Sequence, residues 1–131
     1  MMMEYLHSDI TQQVIKAYYN VYNKLGYGFL EKVYENAMVI ELKSMGLKVE
    51  QQVKIKVFYN GHEVGYYIMD IVVENIVGVE IKACEALCAE HTYQLINYLK
   101  ASQIEVGLLL NFGKDPEIKR KIFRNKSDTN F

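Results

Sequence analysis

The spacing of apolar residues along the N-terminal third of the chain predicts two helices. Over residues 8–25 they recur every three to four positions, which is typical of a helix with one buried face. We expect Ser8 or Asp9 to cap this helix and Gly26 to end it. The same spacing over 30–45 predicts a second helix after a short turn.

The hydrophobic period then changes to two, which indicates β-strands. Alternation predicts strands over 47–59, 63–73 and 76–82. Asn60-Gly61 is a strong signal for a tight hairpin, and Glu74-Asn75 predicts a second tight turn. Because tight turns join neighbouring antiparallel strands, the three strands should form an antiparallel meander.

The C-terminal third predicts a crossover unit. Residues 90–101 have helical spacing, and the apolar run 106–111 predicts a buried strand, parallel to the third strand through a right-handed crossover. We expect an edge strand over 117–123 and a frayed tail over 124–131. The order α-α-β-β-β-α-β predicts an α+β or mixed α/β sandwich, with residues 1–131 as one domain.

Composition and charge narrow the protein class. The chain has 131 residues, of which 50% are hydrophobic and 24% charged, as in a globular protein that folds without disulfides or metals. Its net charge of −1 does not by itself indicate nucleic-acid binding, although six basic residues lie within 114–131. With no signal sequence or apolar run long enough for a membrane span, and only two cysteines, we expect a cytoplasmic protein that does not bind membranes.

Three charged residues interrupt the predicted strands and suggest chemistry. Asp70 interrupts the second strand, and Glu80 and Lys82 share one face of the third. Counting outward from the turn between these strands brings Asp70 near Glu80. Two adjacent carboxylates repel unless a cation such as Mg²⁺ lies between them, and a nearby lysine suits metal-assisted phosphodiester hydrolysis. The alternative is a partly exposed sheet face with a weak Glu–Lys pair.

These residues and others resemble the PD-(D/E)XK nuclease superfamily and, within it, the GxxExxY protein family. Asp70 is followed ten residues later by Glu80-Ile81-Lys82, and Gly28-Phe29-Leu30-Glu31-Lys32-Val33-Tyr34 matches the GxxExxY signature. The resemblance covers about residues 8 to 123. It continues through Leu47-Lys48-Val49-Glu50, Tyr59-Asn60-Gly61, His91-Thr92-Tyr93-Gln94, Tyr98-Leu99-Lys100 and Gly107-Leu108-Leu109-Leu110-Asn111-Phe112. One departure is Met69, which stands where the superfamily's name has proline.

The resemblance implies a restriction-endonuclease-like fold and a metal site. It implies that Asp70, Glu80 and the carbonyl of Ile81 hold Mg²⁺ or Mn²⁺, and that Lys82 assists the attacking water. Glu31 looks like the additional acidic residue near the metal in RecB-like and lambda-exonuclease-like members. Glu35, one turn further along the same helix face, is a neighbour, and both glutamates have the alternative of being solvated helix charges.

Four further residues are candidates for holding the substrate. Gln94 and Tyr98 are similar to the Q-x-x-x-Y motif of RecB-like nucleases, which lines the site and positions DNA. His91 either contacts the scissile phosphate or makes a structural hydrogen bond at the start of the third helix. Arg120 falls where the family has a basic residue on its last strand.

We therefore expect a Mg²⁺- or Mn²⁺-dependent nuclease that acts on DNA. The alternative is a catalytically silent module that binds nucleic acid or protein on the same fold, and RNA or a nucleotide is a third substrate class. The sequence leaves the oligomeric state open. A domain of 131 residues has little room for a separate DNA-recognition element, so we expect recognition to come from loops, a homodimer or a partner protein.

Overall fold

The computed structural model describes residues 6–124, which form three helices and a five-stranded mixed sheet. The elements are α1 (Ser8–Leu25), α2 (Glu31–Ser44), β1 (Val49–Tyr59), β2 (His62–Val73), β3 (Val77–Lys82), α3 (Ala89–Ala101), β4 (Val106–Phe112) and β5 (Pro116–Ile122). This confirms the predicted element order, including the last edge strand. Most of the predicted frayed tail, residues 125–131, lies outside the described residues.

The strands are ordered β1-β2-β3-β4-β5 across the sheet. The first three form the predicted antiparallel meander, β3 and β4 pair in parallel through α3, and β4 and β5 are antiparallel. Both predicted tight turns have two consecutive left-handed residues, with φ of 49° and 79° at Asn60 and Gly61, and 54° and 59° at Glu74 and Asn75. This geometry matches the right-handed twist of paired strands.

Helices cover both faces of the sheet and enclose two apolar cores. On one face, Val77, Val79 and Ile81 of β3 pack with buried residues of α1 and α2. On the other face, a smaller core forms between the sheet and Leu95 and Tyr98 of α3. Since side chains alternate along a strand, Glu80 and Lys82 lie on the face opposite Val79 and Ile81, as predicted.

The start of α1 differs from the prediction. The N-terminal cap is His7, in a left-handed conformation with φ of 56°, and no side chain caps the helix. The His7 carbonyl accepts the Ile10 and Thr11 amides, both at 3.1 Å. Because the helix already includes Ser8, the Ser8 hydroxyl is one position too late to serve as the cap.

Candidate active site

The candidate site lies where β2 and β3 separate. Backbone pairing between these strands ends at Ile71 opposite Val79. One residue further, the Asp70 amide donates to Glu80 Oε2 at 2.9 Å, and the Ile81 amide donates to Asp70 Oδ2 at 2.8 Å. Each carboxylate therefore satisfies a backbone N–H of the opposite strand where the ladder opens, which keeps buried amides paired and fixes both side chains.

The β1–β2 ribbon is irregular at the level of Asp70. Met69 packs in the core beneath α3, whereas Ile71, two residues later, packs in the core beneath α1 and α2. The alternation of side chains is thus reset at Asp70. Opposite Asp70 on β1, Gln52 has a left-handed φ of 57°, so both strands depart from regular geometry at the same level.

Burial raises the pKa of both carboxylates, and the charge of Asp70 adds to the effect at Glu80. Glu80 is 5% exposed, and desolvation, followed by the charge of Asp70, raises its pKa to about 8. Desolvation also raises the pKa of Asp70, against the hydrogen bond from Ile81. Lys82 acts on both carboxyl groups in the opposite direction. A buried and a half-buried acid, both with raised pKa values, resist ionisation at the same time, and a bound cation would relieve the cost of ionising them.

Lys82 ends β3 beside these carboxylates. It pairs in register with Asn111 of the parallel strand β4, and it lies on the same strand face as Glu80. Within residues 6–124, it forms no ion pair with a carboxylate. Its half-buried ammonium group is therefore not neutralised by a direct partner and can interact with a second anion.

The two glutamates of α2 occupy different environments. Glu31, at the start of the helix, is exposed, whereas Glu35 is 4% exposed. Both charges raise the pKa of Asp70, and that of Glu35 has the larger effect. The sequence analysis favours Glu31, and the structure shows Glu35 to be the more constrained carboxylate near Asp70.

Glu35 is held by three side-chain donors. Its carboxylate accepts Gln51 Nε2 at 2.6 Å, Gln52 Nε2 at 2.9 Å and Lys32 Nζ at 3.3 Å. Consecutive residues of a regular strand point to opposite faces, so both glutamines reach one carboxylate only because Gln52 is left-handed. In the sequence, the two consecutive glutamines Gln51 and Gln52 are the feature that could have indicated hydrogen-bond donors for a buried carboxylate such as Glu35.

On the α3 side, Tyr98 reaches the site. Its ring packs against Tyr67 with centroids 4.9 Å apart, and burial, followed by the charges of Glu80 and Asp70, raises its pKa to about 12. The structure therefore brings Tyr98 together with the carboxylate pair. Gln94, one turn earlier on α3, is exposed.

His91 and Arg120 make contacts with the backbone of neighbouring segments. His91 Nδ1 accepts the Cys88 amide at 3.2 Å, within a capping box at the start of α3. This is the structural hydrogen bond that the sequence analysis gives as the alternative for His91. Arg120 Nη2 donates to the Leu6 carbonyl at 2.6 Å, from β5, which β4 separates from β3.

The donor set fits a cation that needs few protein ligands. In the described part of the chain, no three or more His, Cys, Asp or Glu residues are close enough together to hold a metal ion. Asp70, which is half-buried, and Glu80, which is buried, form a pair of oxygen donors with raised pKa values. Mg²⁺ commonly takes only one or two carboxylates and completes its shell with water and phosphate oxygens, so these two residues suit it.

Comparison with known proteins identifies the family. A family model described as the PD-(D/E)XK nuclease superfamily matches residues 8–123. Searches of curated proteins and of solved structures gave no significant match. Among the described residues, no helix is long and apolar enough to cross a membrane. Because the match runs from the first residue of α1 to just beyond the end of β5 and includes Asp70, Glu80 and Lys82, the chain belongs to the PD-(D/E)XK nuclease superfamily.

Proposed function

We propose that this protein is a divalent-metal-dependent nuclease that hydrolyses phosphodiester bonds in DNA. The observation that carries the proposal is the reciprocal arrangement of Asp70 and Glu80 at the opening between β2 and β3. It supplies two fixed oxygen donors, with a lysine two residues beyond Glu80 on the same strand face. Superfamily membership supports the same reaction class.

Each site residue has a distinct role in this proposal. Asp70, Glu80 and the carbonyl of Ile81 would hold Mg²⁺ or Mn²⁺. The cation, when bound, supplies Lewis acidity at the phosphate and activates water. The Lys82 ammonium orients the attacking water or donates to a phosphate oxygen, where it stabilises the negative charge that develops in the transition state.

The GxxExxY signature at the start of α2 fits a role in positioning an acidic residue at the site, and it supports assignment of the chain to the GxxExxY family. Tyr34 is fully buried, and its hydroxyl donates to the Gly26 carbonyl at 2.7 Å and accepts the Phe29 amide at 3.2 Å. The tyrosine of the signature thus anchors the turn before α2. We propose that this anchoring sets the position of Glu31, which completes the acidic cluster when the substrate is bound.

The substrate strand is held from the α3 side, as in the RecB-like branch. Tyr98 lies beside the carboxylates, and exposed Gln94 on the same helix is free to contact a strand that crosses the site. We assign His91 and Arg120 to the outer part of the substrate path.

A second candidate is a binding module that has lost catalysis. It is favoured by one observation, that residues 6–124 contain no group of three acidic, histidine or cysteine ligands close enough to hold a metal ion. Such a module would bind nucleic acid, or a partner protein, through the same face. RNA in place of DNA is a variant of the first proposal that leaves the chemistry unchanged.

The test is cleavage of plasmid and of single-stranded DNA or RNA with Mg²⁺ or Mn²⁺. We expect cleavage by the wild type, and a loss of roughly 100-fold or more in Glu80→Gln and Lys82→Ala. Glu63→Gln on the β1–β2 hairpin and Lys43→Ala in the last turn of α2 are matched controls that should cleave normally.

Two results would overturn the proposal. One is equal cleavage by the wild type and both site variants. The other is the absence of cleavage together with calorimetry in which Mn²⁺ binding does not depend on Asp70 and Glu80. The second result would favour the binding module.

A further inference from the structure

A small cavity opens beside the candidate site, at the carboxyl ends of β3 and β4. It has a volume of about 260 Å³ and is lined by residues 27–28, 83–85 and 112–114. These segments belong to the turn before α2, the loop between β3 and α3, and the turn between β4 and β5. Ligands of α/β proteins commonly bind outside the carboxyl ends of parallel strands.

Two buried or half-buried tyrosines hold the outer walls of this cavity. The Tyr34 hydroxyl donates to the Gly26 carbonyl at 2.7 Å, next to the first lining segment. The Tyr22 hydroxyl lies 2.7 Å from the Gly113 carbonyl in the third segment. Both turns are therefore fixed from beneath by α1 and α2, and the cavity is preformed.

The remaining wall is fixed by Asn111, which is fully buried. Its side chain accepts the Cys84 amide at 3.0 Å and donates to the Cys84 carbonyl at 2.9 Å. Gly113 allows this close approach, because a Cβ there would lie 2.5 Å from the Cys84 carbonyl oxygen. Because this wall is already rigid, the protein loses little conformational entropy when a ligand binds.

One wall of the cavity lies within electrostatic reach of the candidate site. Burial raises the pKa of the Cys84 thiol, the charge of Glu31 acts in the same direction, and the charge of Lys82 opposes them. Cys84 is therefore close to both Glu31 and Lys82, and a ligand that contacts Cys84 would lie near a phosphate held by Lys82.

The lining combines one exposed aromatic ring with a cation and a carboxylate. Phe112 is 1% exposed and is stacked on Tyr34 with ring centroids 4.2 Å apart, so it supports the cavity from the core side. Tyr27 is 59% exposed and Lys114 is exposed. Aromatic faces with a nearby cation are the surface on which unpaired bases stack, and the Glu85 carboxylate can accept from an exocyclic amine.

The geometry points to a pocket for one unpaired nucleobase, carried by the nucleotide next to the scissile phosphate. This inference rests on the proposed nuclease function and names its substrate class. The volume is below the roughly 300–1,000 Å³ of pockets for drug-sized ligands, so it accommodates one ring system and excludes a base pair. The substrate is therefore single-stranded or frayed nucleic acid.

The first test measures occupancy of the cavity without requiring cleavage. Cys84 lines the cavity and is half-buried, whereas Cys88 is exposed four residues later and is an internal control. Each cysteine's rate of alkylation by iodoacetamide is followed by peptide mass spectrometry, with Ca²⁺ as the cation. Because the Cys88 amide donates to His91, which is assigned to the outer substrate path, some protection of Cys88 is compatible with the inference. We expect a short single-stranded oligonucleotide to slow alkylation of Cys84 several-fold, and more than that of Cys88. The matched duplex and an abasic strand should not protect.

The second test compares two exposed tyrosines. Tyr27→Ala should raise KM for single-stranded substrate by about 5- to 150-fold, the range expected for the loss of one stacked base, with a smaller change in kcat. Tyr59→Ala at the tip of the hairpin, where the side chain is 64% exposed, should leave KM unchanged.

The possible outcomes distinguish failure of the base-pocket inference from failure of the nuclease proposal. Cleavage by the wild type, with Cys84 unprotected and with equal KM in Tyr27→Ala and Tyr59→Ala, overturns the base pocket and leaves the nuclease intact. Protection by the single strand without any cleavage supports the pocket and contradicts the nuclease. Equal protection by a deoxynucleoside monophosphate would show that the ligand is a free nucleotide, which overturns the inference of a strand-borne base.

Discussion

Glu35 is a buried carboxylate whose negative charge is matched by specific donors. Two glutamine amides and the Lys32 ammonium surround it at 2.6 to 3.3 Å. A buried carboxylate stays stable when its oxygens are hydrogen-bonded, and removal of the acceptor leaves the donors without a partner. Glu31, one turn earlier, has an exposed side chain and no comparable cage of donors among the described residues.

The stabilities of Glu35→Gln and Glu31→Gln should therefore differ. A glutamine at position 35 keeps the shape of the side chain but presents an amide donor to other donors. We expect it to lower the free energy of unfolding by about 1–3 kcal/mol. Glu31→Gln should change it by no more than about 0.5 kcal/mol, as is usual for a surface substitution.

Urea unfolding of both variants measures this difference. Equal destabilisation would show that the cage around Glu35 contributes nothing to folding. Cleavage assays on the same proteins address the other role: if Glu31 completes the acidic cluster, Glu31→Gln will lose activity while it keeps its stability.

At the scale of elements, the turn between β4 and β5 holds the loop that follows β3. Gly113 packs directly on this loop, and its missing side chain allows the Asn111 amide to bridge to Cys84. Position 113 is thus a point of close approach between two backbone segments. A methyl group there would meet backbone atoms, which cannot move aside as the end of a flexible side chain can.

Gly113→Ala should consequently be destabilising, by about 1–3 kcal/mol, the usual cost of overpacking. Gly65→Ala is the matched control, since a Cβ at position 65 of β2 meets nothing within 4 Å. Thermal unfolding of the two variants gives the comparison, and faster alkylation of Cys84 in Gly113→Ala would locate the change. Similar melting temperatures for the two variants would rule out this role of the turn.

Elements with strong local signals were predictable from the sequence. The positions of the two tight turns were predictable, because Asn60, Gly61 and Asn75 favour left-handed backbone by their own chemistry. Glu74 has no such preference and is left-handed because of the turn in which it lies. The closeness of Asp70 and Glu80 followed from the second turn, since the number of residues on each side sets the register. The observed register, which ends with Ile71 opposite Val79, therefore also explains why Asp70 and Glu80 are neighbours.

Features that depend on tertiary contacts were not predictable. The left-handed Gln52 has no glycine-like signal, and it is explained only by its hydrogen bond to Glu35 on another element. The burial of Glu35 depends on how α2 rotates against the sheet, which the sequence of α2 alone does not determine. The same holds for His7, whose carbonyl takes the place of a side-chain cap.

At the scale of the whole molecule, the acidic pair couples folding to pH. Desolvation and repulsion by Asp70 raise the pKa of Glu80 from 4.5 to about 8 in the folded protein. The folded state therefore binds a proton that the unfolded state has already lost at neutral pH. Because a raised acid pKa favours folding only while the group stays protonated, this contribution is complete below pH 4.5 and is lost as pH rises through about 8. The raised pKa of Asp70 acts in the same direction.

A comparison of the wild type with Glu80→Gln isolates this effect, because glutamine keeps the acceptor for the Asp70 amide but does not ionise. The two proteins should have similar free energies of unfolding near pH 4.5, and the variant should become more stable by a few kcal/mol near pH 9. Glu63→Gln, on the exposed hairpin, should show no such divergence from the wild type.

Addition of Mg²⁺ should make the wild type more stable than Glu80→Gln near pH 9, the reverse of the order without the cation. A cation that binds only the folded, ionised pair stabilises the wild type by mass action, and more strongly at pH 9 than at pH 6, since it must displace the proton at the lower pH. Glu80→Gln, with one carboxylate fewer, should gain much less. Urea unfolding across this pH range, with and without Mg²⁺, measures both effects. A wild-type stability that does not respond to Mg²⁺ at any pH would show that the paired carboxylates do not form a cation site.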